Sequence, residues 1–120
     1  LYFVDFEYFG WDDPVRLVCD FLLHPGMTLS VHHQRAFGEA MMDIFSKDND
    51  FPSRVRYLYP LVVLRWCMIL LNEFLPEKWA MRTTPENADA VEAAQTEQLE
   101  KARVMLERLD EPQMSLNHAP

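Results

Sequence analysis

The sequence predicts a mainly α protein: one short N-terminal strand followed by about four helices. Apolar residues recur at three- and four-residue spacing in four separate segments, as in helices with one buried face. Helix-start signals stand before them at Asp13-Pro14, at Thr28 or Ser30, at Pro52-Ser53 and at Thr84-Pro85-Glu86. With 49% apolar residues in 120, the chain has enough material for one core.

Leu1 to Phe6 is a nearly continuous apolar and aromatic run, which suits a short buried strand. Gly10 then marks a turn. Asp13-Pro14 opens the first helix, because the Asp carboxylate can accept a first-turn N–H and proline at N1 loses only a donor that would be orphaned anyway. Val15, Val18, Phe21 and Leu22 follow at helical spacing, and His24-Pro25-Gly26 stops the helix. The second helix runs from its Thr28 or Ser30 cap to about Lys47, with Val31, Phe37, Ala40, Met41, Ile44 and Phe45 as its apolar face.

SKDNDFP is a polar break. The third helix starts near Pro52 or Ser53 and reaches about Leu75, with a bend expected at Pro60, whose ring displaces a backbone hydrogen bond. Being apolar nearly all round, it is the expected central helix. LPEKWAMRTT reads as a connection. A last helix follows Thr84-Pro85-Glu86 with Val91, Ala94, Gln98, Ala102, Met105 and Leu109 on one face, and Glu97 and Lys101 form a favourable i,i+4 pair on its wet side. Glu111-Pro112 ends it, leaving residues 113–120 as a flexible tail.

A lone strand leaves its backbone N–H and C=O groups unpaired, and burying such groups is costly. Its pairing partners are not in the sequence. The expectation is that residues 1–120 are the C-terminal part of a longer protein.

Nineteen acidic residues against eleven basic ones give a formal charge of −8. That excludes a phosphate-backbone surface, hence a nucleic acid partner. Cys19 and Cys67 have neither ligand-like nor CxxC spacing, so they read as reduced core thiols of a cytoplasmic protein. The most apolar run, Tyr57 to Leu71, contains Pro60 and Arg65 and falls short of the ~20 residues of a bilayer crossing. A buried helix, and no membrane, is the expectation.

The stretch FVDFEYFGWDDP resembles the metal-binding segment of the aminoglycoside phosphotransferase and choline kinase family, which has a protein-kinase-like fold. There an apolar strand runs into Asp-x-Glu or Asp-x-Gly, then a Gly-containing turn, then Asp-Pro opening a helix. The resemblance covers Phe3 to Pro14, and the order of the following helices agrees with that family's C-terminal lobe. It implies that residues 1–112 are part of such a lobe, with Mg²⁺ and ATP as cofactors and a small hydroxyl-bearing substrate as acceptor. By resemblance Asp5 is the Mg²⁺ ligand. Glu7, two residues on and on the same side of an extended chain, is a second or water-mediated ligand or orients the loop. Asp13 is the structural helix cap. Where the family often has another Asp, three residues after the proline, this chain has Leu17, with Asp20 one turn later. The family's catalytic loop, H-x-D-x-x-x-x-N, has no match; His32-His33 lacks an Asp in the required place. No catalytic residue is assigned within these residues, and alone they are expected to be inactive.

His24 suits a helix end interacting with the last carbonyls. His32 and His33 point about 100° apart on a helix and share a metal poorly. Tyr8, Phe9, Trp11, Tyr57, Tyr59 and Trp66 suit either a core or a pocket for a cationic amine; Trp11, in the polar turn, is the candidate substrate-binding ring. Glu39, Asp43 and Glu73 fit a solvated face better than an acceptor site. The alternative is a non-catalytic helical interaction domain that oligomerises through its exposed N-terminal strand.

Overall fold

A computed structural model describes residues 10–80 and 88–109. These are helical, with no strand among them: α1 (Pro14–Leu23), α2 (Val31–Ile44), α3 (Phe51–Leu70), a 3₁₀ turn (Leu71–Phe74), α4 (Pro76–Ala80) and α5 (Ala88–Glu107). The expected strand, the tail and the Thr84-Pro85-Glu86 start lie outside the described residues.

α1 begins where local chemistry says it must. Asp13 is the N-cap, its carboxylate accepting the Val15 amide at 3.0 Å, and Pro14 occupies the first helical position. The face it buries consists of Val15, Val18, Cys19, Leu22 and Leu23. At its far end His24 does not serve the last carbonyls as expected. Its Nδ1 accepts the Gly26 amide at 3.1 Å, and Arg108 of the segment after α5 donates to the Leu22 carbonyl instead.

α3 is central. Its buried face (Phe51, Val55, Tyr59, Val62, Val63, Cys67 and Leu70) meets α1 and α5, with Ala102 and Met105 as the buried contribution of α5. Phe51, Val63 and Leu23 are fully enclosed, so this three-helix seam is the stabilising core. Both cysteines lie in it as free thiols, and the Cys67 Sγ faces the Ala102 carbonyl at 3.6 Å. The helical run Phe51–Phe74 is 24 residues long and contains an 18-residue window with a mean hydropathy of 1.3, long and apolar enough by composition to cross a bilayer. That exceeds the length expected from its most apolar stretch.

Three expectations need correction. α2 ends at Ile44, not near Lys47; Ser30 caps it, the His33 amide donating to the hydroxyl at 3.3 Å. Its expected apolar face is poorly covered: Val31 and Ile44 are exposed, Gly38 is the only fully buried residue, and Phe37, Met41 and Phe45 are half-buried. Phe37 holds on through Phe21, with ring centroids 4.1 Å apart. Second, α3 stops at Leu70 and tightens into 3₁₀ geometry rather than continuing to Leu75. Third, the connection LPEKWAMRTT contains a helical turn, α4, started by Pro76 and Glu77.

Candidate functional site

Where residues 10–13 enter α1, every described carboxylate already has a partner. Asp12 accepts the Asp13 amide at 2.8 Å and pairs with Arg16 at 2.6 Å. Asp13, beyond its cap bond, receives the Arg54 guanidinium: Nε to one oxygen at 2.9 Å, Nη2 to the other at 3.3 Å. The same guanidinium reaches Asp48, in the loop before α3, at 3.1 and 2.8 Å. One arginine on the central helix thus forks onto two carboxylates. It ties the start of α1 and the end of the α2–α3 loop to one point.

The electrostatics follow. The Val15 amide first, and the Arg54 guanidinium second, hold the Asp13 carboxyl below the ordinary carboxylate range. Arg54 does the same for Asp48, and the two carboxylates raise Arg54 further above its ordinary value. All three side chains remain about one-third exposed, so water screens the cluster.

Asp5 and Glu7, the expected metal ligands, lie outside the described residues. Trp11 is described and stands clear of the fold, fully exposed. Among the described residues no three His, Cys, Asp or Glu side chains come together as metal ligands. Leu17 is exposed, and Asp20 is held by Arg65 and Arg16. His33 turns its Nδ1 to the Ser30 hydroxyl at 2.9 Å, its ring 5.6 Å from that of His32.

The aromatics expected either in a core or in a pocket are dispersed. Tyr59 is in the core, whereas Tyr57 points outward from the same helix. Trp66 is half-buried beside His24, ring centroids 5.0 Å apart, with the Arg65 guanidinium 5.5 Å from its own ring centre. Glu39 pairs loosely with Arg35 at 3.5 Å, Asp43 is exposed, and the Glu73 carbonyl accepts from Gln95. An open groove of about 480 Å³ runs between the end of α1 and α5; Leu23, Pro25, Met27, Val104 and Met105 supply its apolar wall.

Sequence reasoning missed Arg54 and Asp48. A signal for Arg54 existed, since a guanidinium beside Phe51 and Val55 on a buried helix needs a carboxylate partner. Nothing local singles out Asp48 from Asp50, its neighbour in the same polar break.

No family model, curated protein or solved structure matches the chain.

Proposed function

We propose that residues 1–112 belong to the C-terminal lobe of an ATP-dependent small-molecule phosphotransferase with a protein-kinase-like fold. The reaction moves the γ-phosphoryl group of a nucleotide to an alcohol. The observation that carries the reading is the segment FVDFEYFGWDDP, a strand-like apolar run feeding a carboxylate pair and a proline-started helix.

The chemistry of the donor set fits the group. Mg²⁺ takes one or two carboxylates together with phosphate oxygens and water. Asp12 and Asp13 are engaged by Arg16, Arg54 and backbone amides, and the resemblance assigns the metal to Asp5 and Glu7. Bound Mg²⁺ would neutralise phosphate charge as the phosphoryl group transfers.

The chain's own residues supply placement. Asp13, tied by Arg54 to the central helix, fixes the start of α1. Asp5 is the metal ligand, Glu7 a second or water-mediated ligand or the residue that orients the loop, and Trp11, exposed in the structure, the candidate substrate-binding ring. The base that accepts the acceptor's proton belongs to a catalytic loop upstream of Leu1.

Asp5→Ala, in a polypeptide that includes that upstream loop, tests the assignment. ATP turnover should be lost while the unfolding midpoint is unchanged. Unaltered turnover refutes the role of Asp5.

A further inference from the structure

The turn that leads out of α1 is closed by one imidazole. The Nδ1 of His24 accepts the Gly26 amide at 3.1 Å, while the His24 carbonyl accepts the Met27 amide at 3.0 Å. A Cβ at position 26 would stand 3.1 Å from the ring's Cε1 and 3.2 Å from its Nδ1, so glycine lets the ring seat this close to the backbone. Trp66 of α3 meets the same ring edge-on, with centroids 5.0 Å apart.

An imidazole accepts at Nδ1 only while that nitrogen carries no proton; once charged, both its nitrogens are donors. A proton on Nδ1 would set donor against donor across 3.1 Å, and the ring has to leave the Gly26 amide. His24 and Gly26 are both exposed, so a proton reaches the ring and water can take up the freed amide. The effect extends beyond the turn, because His24, Pro25 and Met27 wall the groove whose other side is α5.

We propose that His24 is a pH-operated latch: its neutral imidazole holds turn 24–27 in the form that walls the groove between α1 and α5, and protonation releases that wall. The charges around the ring do not override the Gly26 bond. From α5, Glu97 and Glu100 line the groove with Lys101 and Arg108, two acids against two bases. Glu97 pairs with Lys101 at 2.6 Å, Glu100 with Arg103 at 3.8 Å, and Arg108 donates to the Leu22 carbonyl. From α3, Arg65 stands 5.5 Å from the Trp66 ring centre and is held by Asp20, which lies one turn before His24 on α1 and also meets Arg16. In the first turn of α2, His33 keeps its Nδ1 on the Ser30 hydroxyl at 2.9 Å, beside His32. The latch uses neither Asp5 nor Asp13, so its failure would leave the phosphotransferase reading untouched.

Nuclear magnetic resonance of the labelled 120-residue chain tests it between about pH 8 and 5, the range over which histidine ordinarily changes charge. At the upper end a scalar coupling across the hydrogen bond should join the Gly26 amide ¹⁵N to the His24 ¹⁵Nδ1. It should vanish with the midpoint at which the His24 ring takes up its proton. The Met27 methyl ¹³C, which reports its side-chain rotamer, should shift with the same midpoint. His24→Asn keeps an acceptor for the amide two residues on but takes up no proton. In that variant the Met27 methyl should stay fixed across the range. A missing coupling at the upper end, or one that survives protonation of His24, overturns the proposal. So does a Met27 methyl that stays fixed in wild type or still titrates in His24→Asn.

Discussion

Replacing Asp13 by alanine removes two roles of one carboxylate, and a second variant separates them. The cap bond to the Val15 amide satisfies a donor that nothing else in the first turn of α1 can satisfy. Losing such a cap costs about 1 kcal/mol, within a range of about 0.5–2. The bond to Arg54 is formed by partly solvated groups and adds less. Asparagine caps nearly as well as aspartate but carries no charge.

In urea unfolding followed by circular dichroism at pH 7, Asp13→Ala should therefore lose about 1 kcal/mol, which is a fall of about 4 °C in Tm for a chain of this size. Asp13→Asn should lose less than half of that. The pH dependence has a fixed sign. The Asp13 carboxyl titrates below its ordinary value in the folded chain, so the unfolded chain binds more protons near pH 4. The charge-dependent part of its contribution is complete above the ordinary carboxylate pKa of ~3.9 and is lost as pH falls through the depressed folded value. The gap between wild type and Asp13→Asn should close correspondingly as the pH falls through that depressed value. If Asp13→Asn is as damaging as Asp13→Ala at pH 7, or if Asp13→Ala costs nothing, the account of this helix start is wrong.

Two further predictions concern the core. Leu23→Ala, at a fully enclosed position of α1, should cost about 2–5 kcal/mol in the same assay, while Leu61→Ala on the outer face of α3 should cost under about 0.5 kcal/mol in the monomer. Burial pushes the Cys19 thiol up to about 12 and that of Cys67 upward as well, so a thiol reagent at pH 8 should label neither in the folded chain and both in urea. Fast labelling of native Cys19 would contradict the packing of α1 on α3.

What the sequence made legible was the part written in local chemistry. Asp13-Pro14 marks the start of α1 because cap and proline act within four residues, and the alternation after it points Val15, Val18 and Leu22 inward without knowledge of the partner. Periodicity also locates α2. It cannot say whether anything covers the face it defines, which is why Val31 and Ile44 stand exposed. The same limit applies to α3. Apolar all round, it reads as buried all round, yet α1 and α5 cover one side and leave Tyr57, Leu61, Leu64 and Met68 exposed. α4 escaped because five residues are too few to show a period. The Arg54 bridge joins positions 41 apart to Asp13 and 6 apart to Asp48, a pairing that only the packing of three segments creates.

The claim on which the functional reading turns is that Asp5 holds the metal of a nucleotide. Electron paramagnetic resonance of Mn²⁺, standing in for Mg²⁺, measures that contact directly in a polypeptide extended upstream to include the catalytic loop. In the presence of ATP, free Mn²⁺ signal should fall on titration with the wild-type protein, and Asp5→Asn should weaken that binding at least about tenfold. Equal Mn²⁺ binding by both proteins would contradict the account.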